Sequence, residues 1–237
     1  MKKAAGLLLL FTCGLLAADV WQKPYTDWSD KDAAKMITNS PWAKSASVSM
    51  VGPGGNGAAP PIVPGGGVGA SGRGGGPQGG GGSEFGPGAQ GSAVPSLDVV
   101  ARWQSALPIR QAYVRLKFGA EADTSADARK VLDQQERPYE IVLSGPMGMF
   151  LAGKPGDAAK ALSEVSFLSS SRTGAMKAFQ IEVGQPGKTM DVVLAFPRSM
   201  PFTVEDKEVQ FTTKMGSSIL KYKFKLKDMV LNGKLEM

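Results

Sequence analysis

The spacing of apolar residues changes along the chain, and each change marks a predicted helix or strand. Apolar residues at helical spacing predict helices over residues 30–38, 108–118, 125–135 and 156–162. Ser29 is placed to cap the first helix, with Asp32 at the third helical position as its capping-box partner. Pro108 suits the first turn of the second helix, because the N–H that proline lacks would be unpaired there anyway.

Apolar and polar residues alternate in other segments, which is typical of strands with one buried face. The predicted strands cover residues 45–50, 99–104, 139–143, 164–169, 176–183, 189–196, 208–214 and 218–227. Residues 184–187 and 215–216 contain the glycines expected of turns between strands. This order predicts an α+β fold, with a mainly antiparallel β-sheet and two to three helices packed against one face.

A low-complexity segment separates the first two predicted strands. Residues 52–91 contain 19 glycines and six prolines in 40 positions. Such a segment has too little apolar surface to offset the entropy of ordering, so we predict a disordered Gly/Pro-rich insert. The flanking strands are expected to form an antiparallel hairpin with an expanded loop, because the entropy of loop closure grows only logarithmically with length.

The first residues have the organisation of a secretory signal peptide. Lys2 and Lys3 precede an apolar run of 15 residues, which is shorter than the ~20 residues of a membrane-spanning helix. We predict cleavage after Ala18 and an extracytoplasmic location, in the periplasm or secreted, with no transmembrane segment left after cleavage. Cys13 lies in a segment that resembles a lipobox, so a lipoprotein is the alternative.

The predicted organisation therefore has four parts. Residues 1–18 form the signal peptide, and residues 19–51 form an N-terminal arm with a short helix and the first strand. Residues 52–91 form the disordered insert, and residues 92–237 complete a single α+β domain.

Composition excludes several classes of chemistry. The 237 residues include no histidine and one cysteine, so catalysis by Ser-His-Asp or Cys-His groups is excluded. Histidine-ligated metals, internal disulfides and iron–sulfur clusters are excluded for the same reason. We predict no cofactor, no metal site and no catalytic residue. The net charge of +6 falls to +4 once Lys2 and Lys3 are removed, so the basic excess is modest.

One strand carries a candidate binding surface. Alternation over residues 218–227 predicts that four lysines share one strand face, opposite Tyr222, Phe224 and Leu226. This lysine stripe consists of Lys221, Lys223, Lys225 and Lys227. It is a candidate anion-binding face, for an anionic polymer or an envelope surface. The alternative is a solvated strand face whose lysines prevent edge-to-edge aggregation.

Aromatic and acidic residues are concentrated near the start of the predicted mature chain. They are Trp21, Tyr25, Trp28, Asp30, Asp32 and Trp42. Aromatic residues with paired carboxylates are also found where enzymes hydrolyse sugars, but Asp30 and Asp32 point to different sides of a helix. The favoured interpretation is an arm whose tryptophans pack onto the domain core.

Several segments resemble an uncharacterised family of exported bacterial proteins. They are WSDKDAAK at 28–35, SPWAK at 40–44, RWQSALP at 102–108, KFKLKDM at 223–229 and NGKLE at 232–236. The resemblance implies export and carries no activity, ligand or site residue.

Together these observations predict an exported, non-enzymatic binding module or a structural module of the cell envelope. The partner is unknown, and no specific nucleic-acid motif is present. The alternative function is a hydrolase that needs no histidine, using carboxylates or a Ser–Lys pair. A serine hydroxyl beside a desolvated lysine in a pocket would favour this alternative.

Overall fold

Local capping places the first helix where the sequence predicts it. The computed structural model describes residues 20–49, 96–133, 137–151, 155–185, 187–216 and 218–237. Helix α1, Asp30–Thr38, begins at Ser29, whose side chain accepts from the Asp32 N–H while the Asp32 carboxylate accepts from the Ser29 N–H. This reciprocal pair satisfies two backbone donors that the first turn of a helix leaves free. The predicted capping box is therefore confirmed.

Three further α-helices lie in the described ranges. They are α2, Leu107–Phe118, α3, Ala126–Leu132, and α4, Pro155–Val165. Helix α2 packs between α1 and α3, and α1 also contacts the strands that begin the first sheet. Helix α4 packs elsewhere, against strands of both sheets. Four α-helices therefore lie within these ranges, where two or three were predicted, and they do not all cover one face.

The first sheet has five antiparallel strands. They are β1, Ala43–Ser49, β2, Ser96–Trp103, β3, Tyr139–Gly145, β6, Gln180–Val183, and β7, Met190–Phe196. Their order in the sheet is β1-β2-β3-β7-β6. Strands β1 and β2 pair from Ala43 opposite Arg102 to Ser49 opposite Ser96. The predicted hairpin on either side of the insert is confirmed by this pairing.

The second sheet has four antiparallel strands in the order β5-β4-β8-β9. They are β4, Phe167–Ser170, β5, Met176–Lys177, β8, Glu208–Met215, and β9, Ser218–Lys225. A short hairpin follows, formed by β10, Val230–Leu231, and β11, Lys234–Leu235. Sheets of this kind with four α-helices make an α+β fold, as predicted.

The two large sheets pack face to face around an aromatic core. Trp103 of β2 meets Phe224 of β9 edge-on, with ring centroids 5.4 Å apart. Phe196 of β7 meets Phe211 of β8 in the same way at 6.1 Å. Edge-to-face pairs add about 0.5–1.5 kcal/mol each beyond the area they bury. These contacts make one core from two sheets, where the sequence predicted a single sheet covered by helices.

The opposite face of the first sheet is covered in part by α2. Arg102 of β2 is 5% exposed and lies against the Tyr113 ring, with its guanidinium carbon 5.3 Å from the ring centre. The same guanidinium donates to the Ser144 hydroxyl and to the Asp191 carboxylate. Packing of α2 over this face explains why a charged residue of β2 is buried there.

Several predicted bounds are corrected by the structure. The predicted strand 164–169 begins only at Phe167, because Glu164 and Val165 belong to α4. The predicted strand 176–183 is two strands, β5 and β6, which pair with β4 of the second sheet and β7 of the first. The predicted strand 218–227 ends at Lys225, and Leu226–Met229 is a 3₁₀ helix.

Several predictions concern residues outside the described ranges. They are the signal peptide 1–18, Cys13 and the insert 52–91. Within the described ranges, no helix combines the length and apolar character needed to cross a membrane.

Candidate functional site

Three of the four predicted lysines lie side by side on β9. Lys221, Lys223 and Lys225 are exposed, and the residues between them, Tyr222 and Phe224, are buried. The neighbouring strand places Thr212, Gln210 and Glu208 opposite the three lysines in turn. The Lys223 ammonium lies 3.1 Å from the Glu208 carboxylate, so one of the three charges is partly compensated. Strand β9 is an edge strand of its sheet, where lysines also oppose pairing with other chains.

The fourth lysine leaves this face. Lys227 lies in the 3₁₀ helix Leu226–Met229, so the lysine stripe does not extend along one strand. Residues three apart in a 3₁₀ helix point the same way, and Leu226 and Met229 are both buried. Lys227 and Asp228 are therefore turned outwards together, and both line a cleft.

This basic cleft has a volume of about 600 Å³ and is formed where three segments meet. The 3₁₀ turn Val20–Gln22 forms one wall, the junction of α1 and β1 forms the second, and the 3₁₀ helix leading into β10 forms the third. The lining residues are Trp21, Gln22, Lys35, Asn39, Ser40, Pro41, Lys44, Lys227, Asp228 and Val230.

The α1–β1 junction is shaped by hydrogen bonds at the end of the helix. The Asn39 N–H donates to the Lys35 carbonyl oxygen over 2.7 Å. The Ser40 hydroxyl donates to the Met36 carbonyl oxygen over 2.7 Å and accepts from the Trp42 N–H over 3.2 Å. These bonds satisfy the final carbonyls of α1 and turn the chain into β1 within a few residues. Lys35, Ser40 and Lys44 consequently come to one side of the cleft.

Trp42 links the α1–β1 junction to the N-terminal turn and to the C-terminal residues. Its side chain is fully buried, and its indole N–H donates to the Glu236 carbonyl oxygen over 2.8 Å. The Trp21 ring meets the Trp42 ring edge-on, with centroids 5.9 Å apart. Trp28 is also buried, at 1% exposed. The prediction that tryptophans of the N-terminal arm pack onto the core is therefore confirmed.

The lining has an excess of positive charge, with three lysines and one aspartate. Lys44 faces the inner side of the first sheet, opposite Ala101, and its side chain is only partly exposed. Burial lowers the pKa of the Lys44 ammonium, Asp228 opposes that shift and Lys225 adds to it. Strand β1, which carries Lys44, packs against β9, so the cleft adjoins the strand that carries the other lysines.

The cleft also contains the pair of residue types that a Ser–Lys hydrolase requires. Ser40 and Lys44 both line it, and the pKa of Lys44 is shifted in the direction that suits a base. The Ser40 side chain, however, is buried and holds the end of α1 with both its donor and its acceptor. Asp32, the other candidate for hydrolytic chemistry, is held by its capping box with Ser29. Both groups have structural roles in this geometry.

Sequence reasoning identified Lys227 of the cleft but not Lys35 or Lys44. Lys35 and Lys44 lie on consecutive elements, α1 and β1, whereas Lys227 is close to the other end of the chain and only the fold brings it beside them. One local signal was available for Lys44. It alternates in phase with Ala46 and Val48, so strand periodicity places a lysine on the buried face.

The chain matches no family model, no curated protein and no solved structure.

Proposed function

We propose that this is an exported, non-enzymatic binding module of the cell envelope that holds an anionic polymer on a basic surface. The surface consists of Lys221, Lys223 and Lys225 on β9, together with the basic cleft. One observation carries the proposal: β1, which carries Lys44, packs against β9, and β9 leads directly into the 3₁₀ helix that carries Lys227, so the β9 lysines and the cleft lysines lie on adjoining elements. Export rests on the N-terminal segment of Lys2, Lys3 and the apolar run that follows.

The segments that resemble an uncharacterised family of exported bacterial proteins lie around the same surface. Three of the segments that carry the resemblance, 28–35, 40–44 and 223–229, supply cleft residues. A fourth, 232–236, is joined to segment 40–44 by the hydrogen bond between Trp42 and Glu236. Segments distant in sequence thus meet at one place on the molecule.

The surface has the features of a polyanion-binding site rather than of a deep catalytic pocket. Its lysines are mostly exposed, so each contact with an anion is weak and screened by salt. Several such contacts along one polymer add up, because the second and later contacts are intramolecular. The Ser40 hydroxyl donates its proton to the Met36 carbonyl oxygen, which opposes its use as a nucleophile.

The test is binding of the chain from residue 19 to immobilised polygalacturonate, a linear polyanion, with dextran as the uncharged comparison. We expect retention on the polyanion alone, falling steeply as salt rises from about 0.05 to 0.5 M because the contacts are screened charges. Replacing Lys221, Lys223, Lys225 and Lys227 with glutamine is expected to abolish retention.

A matched variant controls for net charge. Lys31, Lys130, Lys160 and Lys188 are exposed and lie outside both β9 and the cleft, so changing them to glutamine removes the same charge elsewhere. We expect this variant to retain most of its binding. Equal loss in the two variants would show a response to net charge alone and would overturn the proposal. Release of sugar from the polymer would instead support the hydrolase alternative.

A further inference from the structure

The walls of the basic cleft include an aromatic ring and two side-chain amides as well as lysines. Trp21 supplies an aromatic surface, and it is the one tryptophan with appreciable exposure, since Trp28, Trp42 and Trp103 are at most 1% exposed. Its edge-on contact with Trp42 holds the indole in place. Gln22 and Asn39 add two amides that both donate and accept hydrogen bonds. An aromatic surface beside amides suits the apolar face and the hydroxyls of a sugar ring.

Asp228 favours a ligand with hydroxyl groups over a simple anion such as phosphate or sulfate. A carboxylate in a site for phosphate or sulfate would repel its ligand, whereas a carboxylate in a sugar site accepts hydrogen bonds from hydroxyls. Lys35, Lys44 and Lys227 surround the same space and suit a ligand that also carries negative charge. The volume of about 600 Å³ lies within the ~300–1,000 Å³ of small-ligand sites.

We infer that the cleft binds an acidic sugar, a pyranose ring bearing a carboxylate, as one or two units of the polymer held by the surrounding lysines. Trp21 packs against the ring, the three lysines face its carboxylate, and Asp228 with the two amides accepts from its hydroxyls. The inference rests on the proposed function and names the ligand class for part of the same surface. The exposed lysines of β9 would then hold the rest of the chain non-specifically.

Trp21 provides a direct readout, because its fluorescence reports on the cleft. The chain from residue 19 is titrated with digalacturonate, with the uncharged disaccharide lactose and with inorganic phosphate. We expect digalacturonate alone to change the emission in a saturable way. Trp21→Phe removes the reporter and identifies the source of the signal. Its fold is checked by far-ultraviolet circular dichroism, and digalacturonate binding to it by calorimetry is expected to weaken at least about fivefold.

Two charge variants distinguish an acidic sugar from a bare anion. Lys44→Gln is expected to weaken digalacturonate binding. Asp228→Asn removes a repulsive charge but also an acceptor, so we expect weaker binding of digalacturonate at unchanged fold. Tighter binding of digalacturonate by Asp228→Asn, or saturable binding of phosphate with equal affinity, would overturn the acidic-sugar assignment in favour of a general anion site.

Failure of this inference is separable from failure of the proposed function. Polygalacturonate retention that depends on the β9 lysines, without any response of Trp21 to digalacturonate, would overturn the acidic-sugar cleft and leave the polymer-binding surface intact. A Trp21 response to digalacturonate without retention of the polymer would support the cleft and overturn the wider surface.

Discussion

Lys44 is placed where a strand normally carries an apolar side chain. It is in phase with Ala46 and Val48 on the inner side of β1, and burial lowers the pKa of its ammonium. A lowered pKa means that the folded state holds the charged form less favourably than water does. At neutral pH the charged Lys44 therefore subtracts from stability, and this effect begins to fall as pH reaches the folded-state pKa and is lost above the ordinary pKa of lysine. A residue that weakens the fold yet lines a cleft is typical of function rather than of packing.

Replacing Lys44 with methionine is expected to raise the free energy of unfolding by up to about 1 kcal/mol. Methionine keeps the length of the aliphatic stem and removes the ammonium that burial disfavours. Urea unfolding at neutral pH measures the change. Lys31→Met, at an exposed position of α1, is the matched control and is expected to stay within about 0.5 kcal/mol of the wild type. A clear loss of stability in Lys44→Met alone would show that the ammonium has a stabilising partner.

At the scale of elements, the sequence predicts the features that neighbouring residues determine, but not those that depend on packing between distant elements. Helix α1 has its predicted bounds because Ser29 and Asp32 fix its start from neighbouring residues. Strand β9 shows the predicted alternation of buried and exposed residues up to Lys225. The chain then forms a 3₁₀ helix, in which Leu226 and Met229, three residues apart, are both buried. The segment 176–183 crosses from one sheet to the other, which strand periodicity alone does not register.

The candidate site likewise combines residues that the sequence predicts with residues that only the fold brings together, and one hairpin was missed. The lysines of β9 were predictable from a single strand, whereas the cleft unites Lys35, Lys44 and Lys227 through long-range packing. The β10–β11 hairpin did have a local signal in Asn232 and Gly233, which both have positive φ in the turn. An Asn-Gly pair is the dipeptide that a two-residue hairpin turn favours.

The β1–β2 hairpin gives a prediction at this scale. Ser49 and Ser96 are paired, so the two strands end side by side. Replacing residues 52–91 with Asn-Gly is expected to leave unfolding cooperative and to change its free energy by only a few kcal/mol, since closure entropy varies slowly with loop length. Urea unfolding followed by circular dichroism checks this. A Gly/Ser segment of the original length is the control, and loss of cooperativity in both variants would show that residues 52–91 are an essential part of the fold.

At the scale of the whole molecule, buried aromatic side chains hold the two sheets together, and one of them, Tyr222, carries a polar hydroxyl group. Tyr222 of β9 is 2% exposed, and its hydroxyl donates to the Val99 carbonyl oxygen of β2 over 3.0 Å. This bond joins the two sheets across the core. Burial raises the pKa of Tyr222 well above its ordinary value, because a phenolate cannot be solvated there.

Alkaline pH is therefore expected to weaken the packing of the sheets. With a folded-state pKa above the ordinary ~10, neutral Tyr222 contributes stability that is full below about pH 10 and is lost as pH rises further. Urea unfolding between about pH 8 and 11 should show a fall that is smaller in Tyr222→Phe. Burial also raises the pKa of Tyr25, a more exposed tyrosine, so Tyr25→Phe is the comparison and should reduce the fall less than Tyr222→Phe does. A Tyr222→Phe variant with the full alkaline fall would contradict this account.

The pairing of Ser49 with Ser96 also means that the covalent link between β1 and β2 is not what holds the core together. Residues 20–49 contribute Trp28, Met36 and Trp42 to the core, and the ladder of β1 on β2 anchors them to the rest. A protein cut between these strands would be a two-chain complex, with a peptide of about thirty residues bound by its own strand and tryptophans. Such a peptide could serve in fragment complementation. Its binding to the larger fragment would then report that the larger fragment has folded.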